Sequence, residues 1–313
     1  MSALAAVSAF ALALTSCGGE DAGSSGSGDG GEELSGDVGV DGSSTVAPLS
    51  SAAAALYAEE QPQVNVTVGT SGTGGGFEKF CNGETDISDA SRPIKDEEIA
   101  ACEANSISYA ELIVANDALT VVVNPAVDFV DCLTVEQLNA IWGPDSTIAN
   151  WSEVDPSFPD LPLDLYGAGT DSGTFDYFTD VINGEEGASR TDYTPSEDDN
   201  TTVQGVVGSD GAMGYFGFTY FEENADSLKA LEIDNGDGCV APSVETAQDG
   251  SYAPLSRPLF IYLSDKAAER PEVTDFVNFY IENIDDIVTE AQYVPLTEEQ
   301  KSTLAEEFEA LTG

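Results

Sequence analysis

The chain contains no histidine. That absence alone removes Ser-His-Asp and Cys-His nucleophilic catalysis and the usual zinc ligand sets. Positive charge is almost as scarce: 9 Lys and Arg stand against 58 Asp and Glu, a formal net charge of −49 over 313 residues. Nucleic-acid binding rests on neutralising phosphates with Lys and Arg, so this balance argues against it. It equally leaves no polybasic patch for an anionic membrane surface. A calcium loop of the D-x-[DN]-x-[DN]-G-x5-E kind is missing, the nearest stretch being the acidic turn Asp234 to Cys239. No metal and no cofactor is therefore expected.

What is present fits a folded, exported protein. Hydrophobic content of 41% is that of a globular chain, and the length allows one large or two ordinary domains. The acidic excess reads as a solvated surface suited to salty surroundings; it sets solubility and not fold. Ala5 to Leu14 is an apolar run of about ten residues, too short to span a bilayer. It leads into Leu14-Thr15-Ser16-Cys17, which looks like a lipobox, although no Lys or Arg precedes Cys17 to form a basic leader. Residues 1–17 are thus expected to be a lipoprotein signal peptide with Cys17 lipidated. Residues 18–36, rich in Gly, Ser and acids, are expected to tether the folded part to the outer face of the cell membrane.

Setting Cys17 aside leaves Cys81, Cys102, Cys132 and Cys239, an even number in an exported chain, so disulfides are expected, with three possible pairings. Pairing Cys81 with Cys102 closes a short loop and leaves Cys132 for Cys239. The C-x-x-C spacing of a four-cysteine metal site is absent.

From Val38 onward strands alternate with helices, which predicts an α/β sheet with parallel strands. Val38–Val40 runs into Gly42-Ser43-Ser44-Thr45 and a helix carrying Leu49, Ala53, Leu56 and Tyr57, with Pro48 in its first turn. The alternating stretch Val64–Val68 enters the run Gly69-Thr70-Ser71-Gly72-Thr73-Gly74-Gly75-Gly76, and a helix is expected from about Gly75 to Cys81. A strand around Asp86–Ala90, a helix at Ile94–Ala104 and an extended Glu111–Asp117 follow. A second unit is expected from Ala118, with a strand to Pro125, a capped helix at Thr134–Trp142, and a strand–turn–helix over Leu163–Ile182. Beyond Ser256 come the strand Pro258–Leu263 and helices near Glu272–Val288 and Thr297–Leu311.

Four strand-to-helix junctions share one chemistry: Ser43 to Val46, Gly72 to Gly75, Ser88 to Arg92 and Thr170 to Thr174. Each offers hydroxyls and N–H donors near a helix start. One such turn is ordinarily no more than an N-cap. Four of them, converging at the carboxyl ends of strands, would form a nest for a small oxyanion. A nucleotide is not expected, because the glycine run satisfies neither G-x-G-x-x-G nor the Gly-Lys-Ser/Thr of a P-loop.

The stretches DGSSTVAPL, GTSGTGGGFEKF, DISDASRPI and GAGTDSGTFDYF, in this order, resemble the phosphate-binding proteins of high-affinity phosphate ABC importers. The similarity covers the chain from Val38 to the C-terminus. It implies a class II periplasmic-binding-protein fold: two α/β domains, 37–117 with 257–313 and 118–256, joined by two extended crossovers. It also implies a monomeric receptor that closes on inorganic phosphate and passes it to membrane permease subunits. By residue, the resemblance places Ser44, Thr45 and the Val46 amide at the first junction, Thr73 with the Gly74 and Gly75 backbone at the second, and Ser172, Gly173 and Thr174 in the second domain. Better-known members carry an arginine just before that last cluster, where this chain reads Gly167-Ala168-Gly169-Thr170-Asp171. They also carry an aspartate where Ser91 aligns, an acceptor for the proton of hydrogen phosphate. Here Arg92 stands next door and is expected to reach the anion as its sole guanidinium. Asp171, or else Asp89, is the expected proton acceptor that rejects sulfate. The competing readings are the same fold on sulfate, molybdate or a phosphonate, a surface adhesion protein, and a phosphatase using Ser172 or Thr73. The phosphatase lacks any evident base or metal to activate its nucleophile.

Overall fold

The computed structural model describes residues 34–170 and 172–313. The expectations for Cys17, the leader, the tether up to residue 33 and Asp171 lie outside the described residues. Ordered chain is already under way at Leu34, whose N–H donates to Gln61 Oε1 at 3.0 Å. The first strand opens at Gly36, inside the segment expected to be tether.

The strands are β1 (Gly36–Gly42), β2 (Val64–Gly69), β3 (Ile87–Ala90), β4 (Tyr109–Val123), β5 (Cys132–Thr134) and β6 (Asp164–Ala168). They continue with β7 (Thr194–Ser196), β8 (Ala212–Gly217), β9 (Lys229–Ala230), β10 (Glu232–Asp234), β11 (Cys239–Val240) and β12 (Ser256–Ser264). A nine-stranded sheet runs β2-β1-β3-β12-β4-β8-β6-β7, with β9 also paired to β4, and β11-β10-β5 form a smaller sheet. The pairs β1–β2, β1–β3, β6–β7 and β6–β8 are parallel, as helix crossovers require. Contrary to the expected parallel sheet, β12 runs antiparallel to both β3 and β4, and β4 antiparallel to β8. The reason is traffic: β4 carries the chain out of one half and β12 brings it back.

β4 runs straight through the expected boundary at Ala118. It is one 15-residue strand that changes partner, pairing with β12 as far as Ala118 and with β8 from Leu119. Its side chains are buried almost without interruption from Val114, which is why it reads as an apolar run and not as an alternation. Buried apolar residues fall into two large clusters. One draws on Val38 to Ala115 and Leu259 to Phe308, the other on Leu119 to Leu255. In the second, Trp142 meets Phe178, Tyr193 and Tyr215 edge-on, and Phe178 stacks on Tyr215 at 3.8 Å. Those contacts fix the helix Gly173–Phe178.

The helix α1 spans Ala47–Glu60 and buries Leu49, Ala53 and Tyr57, while Leu56 is exposed. The helix expected near Glu272–Val288 is two, Pro271–Glu282 and Ile284–Glu290, because Asn283 between them leaves helical backbone at φ −107° and ψ 18°. Disulfides join Cys81 to Cys102 and Cys132 to Cys239, across sequence separations of 21 and 107. The one grouping of possible metal ligands among the described residues, Cys132, Glu232 and Cys239, consists mostly of those bonded sulfurs. No described helix is long and apolar enough to cross a membrane.

Candidate functional site

Parallel pairing brings the carboxyl ends of β1, β2 and β3 to one edge, with Asp41 beside Gly69 and Gly42 beside Asp89. Gly42 has φ +147°, and a Cβ there would lie 2.1 Å from the Asp89 carbonyl oxygen, so only glycine fits. The Ser43 N–H then donates to that same carbonyl at 2.9 Å, and α1 starts directly above β3.

The helix α2 (Gly72–Cys81) begins three residues earlier than expected and absorbs most of the glycine run. A Cβ on Gly76 would lie 2.5 Å from Gly42 Cα and 2.9 Å from Ser88 Oγ. This glycine therefore serves close packing of α2 on the sheet, not ligand access. Asp41 fastens the turn: its Oδ1 accepts from the Ser71 N–H at 2.9 Å and the Ser71 hydroxyl at 2.6 Å, and its Oδ2 pairs with Lys79. Burial pushes the Asp41 carboxyl up, but Lys79 and Ser71 together hold it below the ordinary range. Thr73 reaches the third junction, its Oγ1 accepting from the Ser91 N–H at 3.2 Å and lying 3.1 Å from Ser91 Oγ.

These three junctions open on one cleft of 710 Å³. Ser44, Thr45, Thr73, Gly74, Ser91 and Arg92 all line it. The other expected contacts do not. Val46 is fully buried, and a Cβ on Gly75 would face the Ser71 side chain within α2. Ser172 caps its helix, Oγ accepting from the Thr174 N–H at 3.2 Å. Gly173 abuts the first junction, where a Cβ would lie 2.8 Å from Thr45 Oγ1 and 3.2 Å from Thr45 N. Thr174 faces a separate 180 Å³ pocket with Asp117, Asp199 and Tyr293. Gly173 thus touches the first junction with bare backbone, and Ser172, Gly173 and Thr174 are not among the described residues that line the cleft.

Arg92 lines the cleft, but not as its sole guanidinium. Both its terminal nitrogens are taken by Glu98, Nη1 and Nη2 each donating to a different carboxylate oxygen at 2.8 Å, and the group sits 5.6 Å from the Phe77 ring centre. Burial raises the Glu98 carboxyl, yet the Arg92 hydrogen bonds and the Lys95 N–H keep it below its usual range. Lys95 and Arg257 line the same cleft. Arg257, at the head of β12, donates from Nε to Asp117 Oδ2 at 3.3 Å and from Nη2 to Thr45 Oγ1 at 3.1 Å. Its guanidinium lies 3.5 Å from the Tyr177 ring centre. Sequence reasoning missed Arg257 because it stands in no turn. Its one signal is a lone cation opening an apolar strand where the chain returns between the two units.

Asp89 is fully buried under the first junction and absent from the cleft wall. Its Oδ1 accepts from Ser50 Oγ at 2.8 Å, and Oδ2 has no partner among the described residues. Burial, only partly offset by Ser50, pushes this carboxyl up to about 7. The facing wall carries Asp176, Asp180 and Glu186. Burial, with Glu186 nearby, raises Asp176 against the pull of Arg257.

The profile of the PBP superfamily domain matches residues 27–283. Protein SphX of Synechocystis sp. is 50% identical over 263 residues, covering 83% of this chain and 78% of that protein. Phosphate-binding protein PstS of Staphylococcus saprophyticus is 39% identical over 270 residues, 84% of this chain and 83% of the relative. Among solved structures, a possible phosphate binding protein from Planctomyces limnophilus superposes with a TM-score of 0.87 at 49% identity, over 90% of this chain and all of the other. The fold is that of the class II periplasmic binding proteins.

Proposed function

This chain belongs to the PstS-like phosphate-binding proteins of ABC import, within the PBP superfamily, and from that premise we propose that it captures inorganic phosphate in the 710 Å³ cleft and hands it to a membrane permease. Its family is one of binding proteins, not enzymes. The observation that carries the reading is the convergence of the hydroxyl residues Ser44, Thr45, Thr73 and Ser91 on one wall. Such donors hold an oxyanion with partial charges and hydrogen bonds, which a closed, low-dielectric cleft strengthens. The long-range repulsion of a −49 chain is screened beyond about 8 Å at physiological salt, so capture is slowed and not forbidden.

In this proposal, 37–117 with 257–313 and 118–256 act as lobes that move about β4 and β12. The amides of Val46, Gly74 and Gly75 and the turn Ser172–Thr174 come to the anion as the Gly173–Thr45 contact opens and re-forms around it. Asp171 accepts the phosphate proton, and lipid on Cys17 with its tether keeps the receptor, as a monomer, at the outer face of the membrane. Titration calorimetry with phosphate and sulfate tests the core of this reading. Phosphate is expected to bind at least about 100-fold tighter, because a carboxylate facing an aprotic anion inside the cleft costs about 3 kcal/mol or more. No phosphate heat, or equal affinities, would overturn it.

A further inference from the structure

We propose that Arg257, and not Arg92, grips the anion, with Tyr177 as the residue that positions it. This rests on the phosphate reading and deepens it. The stretch before Ser172 holds no arginine in this chain.

Two arginines line the cleft, and their partners decide between them. Arg92 spends its planar fork on Glu98, both terminal nitrogens bound at 2.8 Å, and Nη1 also donates to the Pro93 carbonyl at 3.1 Å. A bidentate carboxylate is the ligand that a phosphate would have to displace. Arg257 meets Asp117 through Nε alone, at 3.3 Å, which leaves the outer edge of the fork for a guest. Nη2 bonds the Thr45 hydroxyl, and Nη1 has no protein partner among the described residues. The Arg257 side chain is 16% exposed against 30% for Arg92, so its hydrogen bonds form in a drier place.

The plane of that fork is set in advance. Tyr177 lies under the guanidinium at 3.5 Å, and its hydroxyl donates to the Pro254 carbonyl at 2.7 Å. Stacking of this kind suits arginine and not lysine. The partners come from four places: Thr45 before α1, Asp117 on β4, Arg257 on β12 and Tyr177 on the Gly173–Phe178 helix. An anion bound to Arg257 beside Thr45 therefore engages both halves and both connecting strands at once.

Calorimetric titration of the full chain with inorganic phosphate separates the two arginines. Arg257→Gln paired with Asp117→Asn, which leaves no buried carboxylate unpartnered, is expected to weaken phosphate about 100-fold, as two charge-assisted bonds imply. Arg257→Lys, keeping charge but losing the fork, is expected to lose about tenfold. Arg92→Gln is expected to lose only about threefold. For Tyr177, replacement by Leu is expected to cost about tenfold in affinity while Phe restores it to within about threefold, since the ring and not the hydroxyl sets the plane. Thermal melts accompany each variant. A larger loss from Arg92→Gln than from the Arg257 and Asp117 double variant, or a double variant that is folded and binds within about threefold of the parent, would sink the proposal. If the parent chain ignores phosphate but binds sulfate or molybdate, the phosphate reading fails and the same ranking on that anion decides Arg257. If it binds none of the three, both fall.

Discussion

The two walls of the cleft are made from opposite materials. One wall, built at the ends of β1, β2 and β3, carries the hydroxyl residues Ser44, Thr45, Thr73 and Ser91 and the cations Arg92 and Lys95. The other, from the helix that starts at Gly173 and the chain after it, presents Asp176, Asp180 and Glu186. In the proposed reading, the first wall supplies most of the donors, and the acids of the second carry the same sign of charge as the guest. Arg257 stands between them on a connecting strand, bonded to Thr45 on one side and stacked on Tyr177 on the other. On that reading, attraction for the anion is concentrated on one face, and contacts such as Gly173 against Thr45, not charge, would hold the two faces together.

The contrast can be broken at three depths. The largest effect is expected beneath the donor wall, at Asp89. Burial keeps its carboxyl protonated up to about pH 7, whereas the unfolded chain releases that proton near pH 4. The native state binds the extra proton in between, so this group's contribution to stability falls as pH rises through that window and levels off above it. Relative to Asp89→Asn, the parent chain is expected to lose roughly 2 to 4 kcal/mol between pH 4 and pH 8, read from urea midpoints. Parallel pH curves for the two proteins would refute the assignment.

Next comes the seam where the walls touch. Gly173→Ala places a methyl 2.8 Å from Thr45 Oγ1 and 3.2 Å from Thr45 backbone nitrogen, and the backbone has little room to yield. Overpacking of this kind costs about 2 kcal/mol, so phosphate affinity should fall about 30-fold. An alanine variant that binds as tightly as its parent would show that the halves need not meet there. The smallest effect belongs to the acidic lid. Replacing Asp176 and Asp180 by Asn and Glu186 by Gln should speed phosphate association about threefold at low salt and hardly at all near 1 M salt. Stopped-flow rates that ignore ionic strength would remove charge from the account of the second wall.

Much of this was legible in residue order, and the boundary is physical. Thr134 with Gln137 forms the capping box its spacing predicts, and Val64–Gly69 is a strand that ends where the glycines begin. Local chemistry is enough for such elements. The glycine run was legible as a close approach, but not as to what: Gly76 approaches Gly42, a partner 34 positions away in sequence and invisible from either stretch. The same limit hid Arg257, whose contacts to Thr45 and Asp117 are set by the return of β12 and not by its neighbours. It also hid which way Ser172–Thr174 faces: the residues form the expected helix start, while its direction depends on how the second half packs. Motifs located the turns; topology decided which turns share a space.

The place of β12 has a consequence for how the protein is made. This strand fills the slot between β3 and β4, yet it is the last of the twelve to leave the ribosome. Until it emerges, β3 and the first part of β4 each present a bare row of amide and carbonyl groups, the kind of edge that recruits other chains. The half assembled around Leu119 to Leu255 has its whole sequence available by then, while the half that begins the described chain is still waiting for its closing piece. A nascent chain halted just before Ser256 would therefore be the form most in need of a chaperone.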